Sequence, residues 1–280
     1  MKFVKMQGTG NDFLFVEARD DDERDWEALS RAMCDRHYGA GADGLIVVLP
    51  SERADVRMRL FNADGSEAEV SGNGVRCLVK YAIERGLATP RDGRLSIEAV
   101  HGVLEAEAFM DGERVSSVRL SMGPPRFAPH EVPVIAEMEP VIDFPLQVDG
   151  QRLTVTCLSM GNPHAVLFVD GPVESYALEA IGPRVERHAA FPERVNFGVA
   201  QVQTRQQMAL RVWERGVGVT LACGSGCCAA MVAAQLQGRV GDRVEIEQPG
   251  GSLTVEWDGE GDVYLSGPAE FVFEGERPDA

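Results

Sequence analysis

Cysteine is sparse in this chain of 280 residues, and the six that occur, Cys34, Cys77, Cys157, Cys223, Cys227 and Cys228, are scattered. Such usage fits reduced thiols in a reducing compartment and argues against a disulfide framework. The cluster Cys223-Gly-Ser-Gly-Cys227-Cys228 has no neighbouring histidine and no second C-x-x-C pair, so no metal site is expected. Long apolar runs are also missing, and none approaches the roughly 20 residues of a membrane span. The polar start Met1-Lys2-Phe3-Val4-Lys5-Met6-Gln7 does not read as a signal peptide, so the expectation is a cytoplasmic protein with no membrane partner. Positive charge is in short supply: 27 Lys and Arg face 44 Asp and Glu, and the net charge of −17 repels phosphate backbones. No nucleic-acid partner is expected. Gly8-Thr9-Gly10 is too short for a dinucleotide fingerprint and no G-x-x-x-x-G-K-[ST] occurs, so no nucleotide cofactor is expected.

What the chain does have is core material, with 44% hydrophobic and 25% charged residues, and a length that favours two domains. Its second half repeats an order of short motifs from the first. Gly10-Asn11-Asp12-Phe13-Leu14-Phe15-Val16-Glu17 is echoed by Gly161-Asn162-Pro163-His164 and Leu167-Phe168-Val169-Asp170, 151 to 153 residues on. Ser71-Gly72-Asn73-Gly74 and the helical run after it are echoed 152 residues later by Cys223-Gly224-Ser225-Gly226 and Cys227 to Ala234. Ile97-Glu98 with Gly102 to Glu105 matches Ile246-Glu247 with Gly251 to Thr254, 149 residues on. Three ordered matches at nearly one offset indicate a duplication.

Alternating runs such as Val56 to Phe61, Leu153 to Leu158 and Met208 to Trp213 predict half-buried strands. Helical periods are fewer: Trp26 to Arg36, and the segments after the two Gly-rich loops. The second of those, Cys227 to Leu236, is apolar nearly all round and reads as a helix buried on most faces. Each half is therefore expected to be a strand-rich unit around a long helix, an α+β fold. Gly123 to Pro145, with prolines at 124, 125, 129, 133, 140 and 145, is the linker candidate. The expected halves are 1–122, completed by 268–280, and 123–267.

A Gly-rich loop that opens a helix points several backbone N–H groups and the positive dipole end at one spot, which suits a carboxylate. Its glycines permit positive φ and close approach of a ligand. The same dipole lowers a thiol's pKa, so Cys223 is expected to be thiolate-like, with burial opposing. Related by a repeat, residues 71 and 223 would face one cleft from opposite sides. That geometry suits stereoinversion, in which an acid and a base work on opposite faces of one carbon while N–H donors stabilise the growing enediolate. Asp20-Asp21-Asp22-Glu23 reads as a solvated acidic loop, and His37, His101, His130 and His188 as surface or structural histidines.

At this point the motifs resemble a known family. Gly10-Asn11-Asp12-Phe13, Gly41-Ala42-Asp43-Gly44, Phe61-Asn62-Ala63-Asp64-Gly65-Ser66-Glu67, Gly72-Asn73-Gly74-Val75-Arg76-Cys77, Gly161-Asn162-Pro163-His164, Val195-Asn196-Phe197, Glu214-Arg215-Gly216 and Leu221-Ala222-Cys223-Gly224-Ser225-Gly226 resemble those of the diaminopimelate epimerases, within the pyridoxal-independent amino-acid racemases. The resemblance covers essentially the whole chain. It implies two pseudo-symmetric domains of mostly antiparallel sheet, each wrapped around a central helix, an active site in the cleft, a homodimer and no cofactor. The implied reaction is interconversion of LL- and meso-diaminopimelate in lysine and peptidoglycan precursor synthesis.

Carried over by position, Asn11, Asn62, Asn162, Asn196, Glu214 and Arg215 resemble residues that hold the polar groups of the amino-acid substrate, with Arg able to grip a carboxylate bidentately. Gly72, Asn73, Gly224 and Ser225 resemble the backbone cradle of the reacting carboxylate. Cys223 matches one of the two catalytic cysteines, and His164 and Glu214 resemble residues that flank the thiols. The chain departs from the family at the other catalytic position, where Ser71 stands in place of cysteine. A hydroxyl will not ionise near neutral pH without an adjacent base, so impaired turnover is expected. Cys77, inside the helix, reads as a small core side chain rather than a substitute. Two alternatives stay open: an isomerase or lyase for another amino acid that uses one thiol and one hydroxyl, and a homologue that binds an amino acid without catalysis.

Overall fold

The computed structural model describes residues 1–19, 21–68, 71–100 and 102–278. Asp20 of the acidic loop and His101 lie outside the described residues. Two compact units emerge, Met1–Leu120 with Ser266–Ala280, and Ser121–Leu265.

The first unit contains β1 (Lys2–Gly8), β2 (Asn11–Glu17), α1 (Trp26–Cys34), β3 (Gly44–Leu49), β4 (Val56–Asn62), β5 (Glu67–Ala68), α2 (Gly72–Glu84), β6 (Arg94–Ala99), β7 (Gly102–Asp111) and β8 (Arg114–Ser121). The chain continues through β9 (Val141–Val148), β10 (Gln151–Ser159), β11 (Pro163–Phe168), α3 (Leu178–Glu186), β12 (Asn196–Thr204), β13 (Gln207–Glu214), β14 (Gly218–Val219), α4 (Gly224–Leu236), β15 (Arg243–Gln248), β16 (Gly251–Glu256), β17 (Tyr264–Gly267) and β18 (Glu270–Glu276).

The strand pairings make the duplication explicit. In the first unit β1 is antiparallel to β2, β2 parallel to β3, β3 antiparallel to β4, β4 antiparallel to β5 and parallel to β6, and β6 antiparallel to β7. The second unit repeats every one of these relations with β10, β11, β12, β13, β14, β15 and β16. A helix occupies the same place in each parallel crossover: α1 and α3 in one, α2 and α4 in the other. The hairpin echo keeps its register, since Ile97 pairs with Leu104 and Ile246 with Leu253. Gly102 and Gly251 take φ of 141° and 132°, where a side chain would be strained. The mostly antiparallel, α+β architecture expected from the sequence is the one observed.

Each unit is built around its long helix. In the second, every residue of α4 from Gly226 to Ala234 is buried, packed with strand residues such as Leu158, Val166, Leu210, Ile246 and Val255. Small alanines let the sheet approach on all sides, and each larger side chain such as Met231 or Val232 contributes about 1.5–3 kcal/mol by leaving water. In the first unit α2 packs Val75, Leu78, Val79 and Ala82 among Met6, Phe15, Ile46 and Ile97. Cys77 lies in that same core, fully buried, with its thiol pushed up to about 12 by burial.

α2 also carries a fully buried cation, Arg76, whose Nη2 donates to Thr9 Oγ1 at 3.2 Å and whose Nε donates to the Pro268 carbonyl at 3.3 Å. These bonds tie the helix to the β1–β2 turn and to the C-terminal segment of its unit. Arg76→Ala would strand both acceptors and open a cavity, so a loss of about 3–5 kcal/mol is expected in urea denaturation. A loss below about 1 kcal/mol would contradict this role.

Three expectations need correction. α1 ends at Cys34 rather than Arg36, because the Asp35 carboxylate accepts the N–H groups of His37 and Tyr38 and turns the chain out of the helix. The proline-rich stretch is no free linker: Val132, Val134 and Val141 are buried in the core beside Phe197 and Val199, and Val141 opens β9, which pairs with β10. In the paired loops, Gly74 and Gly226 have ordinary helical φ. They are needed for closeness instead, since a Cβ would come within 3.1 Å of Ile46 at Gly74 and 3.2 Å of the Cys223 sulfur at Gly226.

Candidate active site

The two Gly-rich loops form matching helix starts. Ser71 is the N-cap of α2 and Cys223 that of α4, with φ,ψ of −127°,123° and −131°,108°. Their carbonyls accept the first helical bonds, from Val75 N–H at 2.8 Å and Cys227 N–H at 3.0 Å. The Ser71 hydroxyl accepts the Gly74 N–H at 3.2 Å, whereas the Cys223 side chain makes no such cap bond and the Gly226 N–H acts on its sulfur only as a nearby donor. N–H groups of the first helical turn lack partners within the helix, so each cap presents donors suited to an anion.

Around Cys223 the second unit assembles a polar chain. The sulfur lies 3.6 Å from Ser225 Oγ, which accepts from Asn162 Nδ2 at 3.4 Å, and Asn162 Oδ1 lies 2.9 Å from His164 Nε2. The Glu214 carboxylate acts on Cys223 from nearby, and its Oε1 accepts from Thr220 Oγ1 at 2.6 Å. Asn196 braces the same neighbourhood: its Nδ2 donates to the Pro163 carbonyl at 2.8 Å and its Oδ1 accepts the Arg215 N–H at 2.8 Å. The exposed Arg215 guanidinium donates to the Glu193 carbonyl at 3.1 Å.

The electrostatics reverse one expectation. The Cys223 thiol is only 5% exposed, and burial followed by the nearby Glu214 carboxylate pushes it up to about 12. The Ser225 hydroxyl and the Gly226 N–H pull the other way but lose, so Cys223 rests as a neutral thiol rather than a thiolate. Burial also raises Glu214, against the pull of Thr220 and Cys223. His164, 1% exposed, is pulled down to about 3 by burial and by the Arg215 charge, so its ring is neutral.

Folded His164 resists protonation far below the ordinary 6.5, whereas the unfolded chain does not. The stability this provides is complete above pH 6.5 and is lost as pH falls toward about 3. The residue standing at this place in the other half of the repeat is Phe13. His164→Phe is therefore expected to move the acid-unfolding midpoint to lower pH by circular dichroism; an unmoved midpoint would refute the assignment.

In the first unit Asn73 Nδ2 donates to Asn11 Oδ1 at 3.2 Å, mirroring the Asn162–Ser225 pair. Asn11 in turn donates to Asp43 Oδ2 at 2.6 Å. A charged cluster supports it: Asp12 meets Lys5 at 2.8 Å and Arg36 at 2.8 Å, and Arg36 also meets Asp43 at 2.7 Å. Although burial raises Asp12, the Arg36 and Lys5 hydrogen bonds hold it at about 2. Sequence reasoning quoted Asp12 and Asp43 within motifs yet gave them no role, and it missed Lys5, Arg36 and Thr220, which carried no signal. Asn62 is exposed and donates through Nδ2 to Ser66 Oγ at 3.0 Å, and it pairs across the sheet with Gly44, the residue after Asp43. Among the described residues no three His, Cys, Asp or Glu side chains converge as a metal site would require. His37 and His130 are exposed, and His188 accepts the Ala190 N–H through Nδ1 at 3.1 Å.

Comparison with known proteins identifies the arrangement. The family model for diaminopimelate epimerase matches residues 3–128 and 156–272. The chain belongs to the diaminopimelate epimerase family. Among curated diaminopimelate epimerases, that of Desulfitobacterium hafniense is 44% identical over 278 residues, covering 98% of this chain and 97% of that protein. That of Moorella thermoacetica is 45% identical over 280 residues, with 99% of each covered. As a diaminopimelate epimerase family member the chain is an isomerase. Two solved structures share the fold: a phenazine biosynthesis protein of the PhzF family from Bacillus anthracis (TM-score 0.70, 18% identity, 100% and 99% covered) and a probable proline racemase from Agrobacterium radiobacter (TM-score 0.69, 15% identity, 99% and 92% covered). No helix of the described residues is long and apolar enough to cross a membrane.

Proposed function

We propose that this chain interconverts LL- and meso-diaminopimelate by removing and returning the α-proton without a cofactor, supplying lysine and peptidoglycan precursors, and that it works as a cytoplasmic homodimer. The observation that carries the reading is the Cys223 thiol, seated at a helix N-cap with the half-buried Glu214 carboxylate acting on it from nearby. In the returning direction Cys223 gives its sulfur-bound proton to the α-carbanion, and the electron pair left on sulfur faces the Gly226 N–H and the Ser225 hydroxyl. In the abstracting direction the proton must first leave sulfur, and the Glu214 carboxylate is the acceptor at hand.

Ser71 is assigned to the second face of the same carbon. The first turns of α2 and α4, with Gly72, Asn73, Gly224 and Ser225, would hold the reacting carboxylate as it gains enediolate character. Asn11, Asn62, Asn162, Asn196, Glu214 and Arg215 would hold the remaining polar groups of the substrate, and His164, neutral and bonded to Asn162, would orient that side chain. The repeat gives Ser71 no counterpart of the Glu214 carboxylate: where the second unit has Glu214, the first has Asn62. Turnover is therefore expected to be slow, limited on the Ser71 face.

A substrate panel tests this reading. Incubated with LL-diaminopimelate, L-proline and trans-4-hydroxy-L-proline, the protein is expected to form the opposite configuration from diaminopimelate alone. Turnover of a proline in its place would favour the second reading, an isomerase of another amino acid. Sedimentation velocity is expected to show a species of two chains.

A further inference from the structure

The repeat makes the two helix starts comparable residue by residue, and among the described residues one feature exists only on the thiol side. Gln248, the last residue of β15, is 6% exposed and accepts the Cys223 backbone N–H through Oε1 at 2.9 Å. Two residues later the Gly250 N–H donates to the Leu221 carbonyl at 2.8 Å. The turn after β15 thus clasps the segment 221–223 at two points, one of them a side chain. In the first unit the place of Gln248 belongs to Ala99, since Ala99 pairs with Gly102 as Gln248 pairs with Gly251. Alanine can make no such bond, and among the described residues no side chain accepts the Ser71 N–H.

A buried carboxamide needs a reason to be there. Gln248 Nε2 is buried without a hydrogen-bond partner among the described residues, and an unpaired buried donor is destabilising. The strand around it alternates Val244 and Ile246 with Gln248 on the buried face, where an apolar side chain would meet no such cost. Stability alone therefore does not account for glutamine here.

We propose that Gln248 is a positioning residue for proton transfer by Cys223: its carboxamide fixes the N-cap backbone so that the sulfur stays against the Gly226 N–H, Ser225 Oγ and Glu214. A cap residue whose own N–H is held has little freedom in φ, and an ångström of drift at a proton-transferring atom costs rate steeply. The charged group facing the sulfur is Glu214 on β13, and the other titratable neighbour is Cys228 on α4 itself. Loss of the clasp would change how the sulfur meets both.

The proposal rests on Cys223 being the proton-transferring group, so its test includes a readout that needs no substrate. Gln248→Met removes the clasp and the unpartnered donor while keeping side-chain volume. Three measurements are made on the full-length protein: thermal unfolding, kcat and KM for LL-diaminopimelate, and the rate at which iodoacetamide alkylates Cys223, followed by mass spectrometry with Cys223→Ala as the blank. The expected result is an unchanged or higher Tm, kcat lower by about tenfold with KM within about twofold, and several-fold faster alkylation as the freed cap exposes the sulfur. Unchanged alkylation and kcat would overturn the proposal. So would a fall in Tm large enough to account for the lost activity, because Gln248 would then be structural. Failure of turnover in the parent protein, with alkylation still accelerated by Gln248→Met, would count against the substrate reading and leave the clasp supported.

Discussion

Replacing Ser71 with cysteine is expected to raise diaminopimelate epimerisation by about 10²–10⁴-fold, the usual worth of a well-placed general acid or base. The two N-caps have nearly the same backbone conformation, and each carbonyl accepts the N–H four residues on, from Val75 or Cys227. A thiol at position 71 would therefore sit in a frame already shaped for one. Serine offers no comparable acid, because Asn62 rather than a carboxylate occupies the place of Glu214, and an amide cannot take the hydroxyl proton. The check is a comparison of kcat for the two proteins under identical conditions. A decrease after Ser71→Cys would instead mark a reaction that needs one thiol and one hydroxyl. No activity in either protein would leave amino-acid binding as the surviving reading.

Glu214→Gln is the second large effect, expected to lower turnover by about 10²-fold or more while leaving the fold intact. The carboxylate accepts from Thr220 and acts on Cys223 from nearby, and glutamine preserves the size and one acceptor but cannot take a proton from sulfur. The pH profile supplies an independent sign. Burial raises the Glu214 carboxyl above the ordinary carboxylate value, so the parent protein should lose activity as pH falls through that raised value, and recover it as pH rises. After Glu214→Gln this acidic limb should be absent. If the substitution left both the activity and the acidic limb unchanged, Glu214 would have no part in the mechanism.

Much of this was readable from the chain because the duplication writes each device twice. Gly-rich openings, helical periods and a fixed offset brought Ser71 and Cys223 to equivalent N-caps, and the structure repeats the strand pairings around them one for one. What escaped depends on distances no pattern encodes. The helix dipole and burial act on Cys223 in opposite directions, and only the packing around the sulfur decides for burial. Gln248 is one polar residue on an otherwise apolar strand face, with nothing local to say that its amide reaches Cys223. Lys5, Arg36 and Asp43 converge on Asp12 and Asn11 from separate segments, so no spacing rule joins them. The prolines of 124–145 suggested a linker because they forbid regular structure locally, yet the valines between them are core residues.

The most direct test of the central claim is proton NMR of the protein with LL-diaminopimelate in heavy water, following loss of the α-proton signal together with formation of the meso isomer, beside the Cys223→Ala variant. Exchange accompanied by slow inversion in the parent protein, and neither in Cys223→Ala, is the predicted result; α-exchange that persists without Cys223, or its absence from both the parent and the Ser71→Cys protein, would contradict the account.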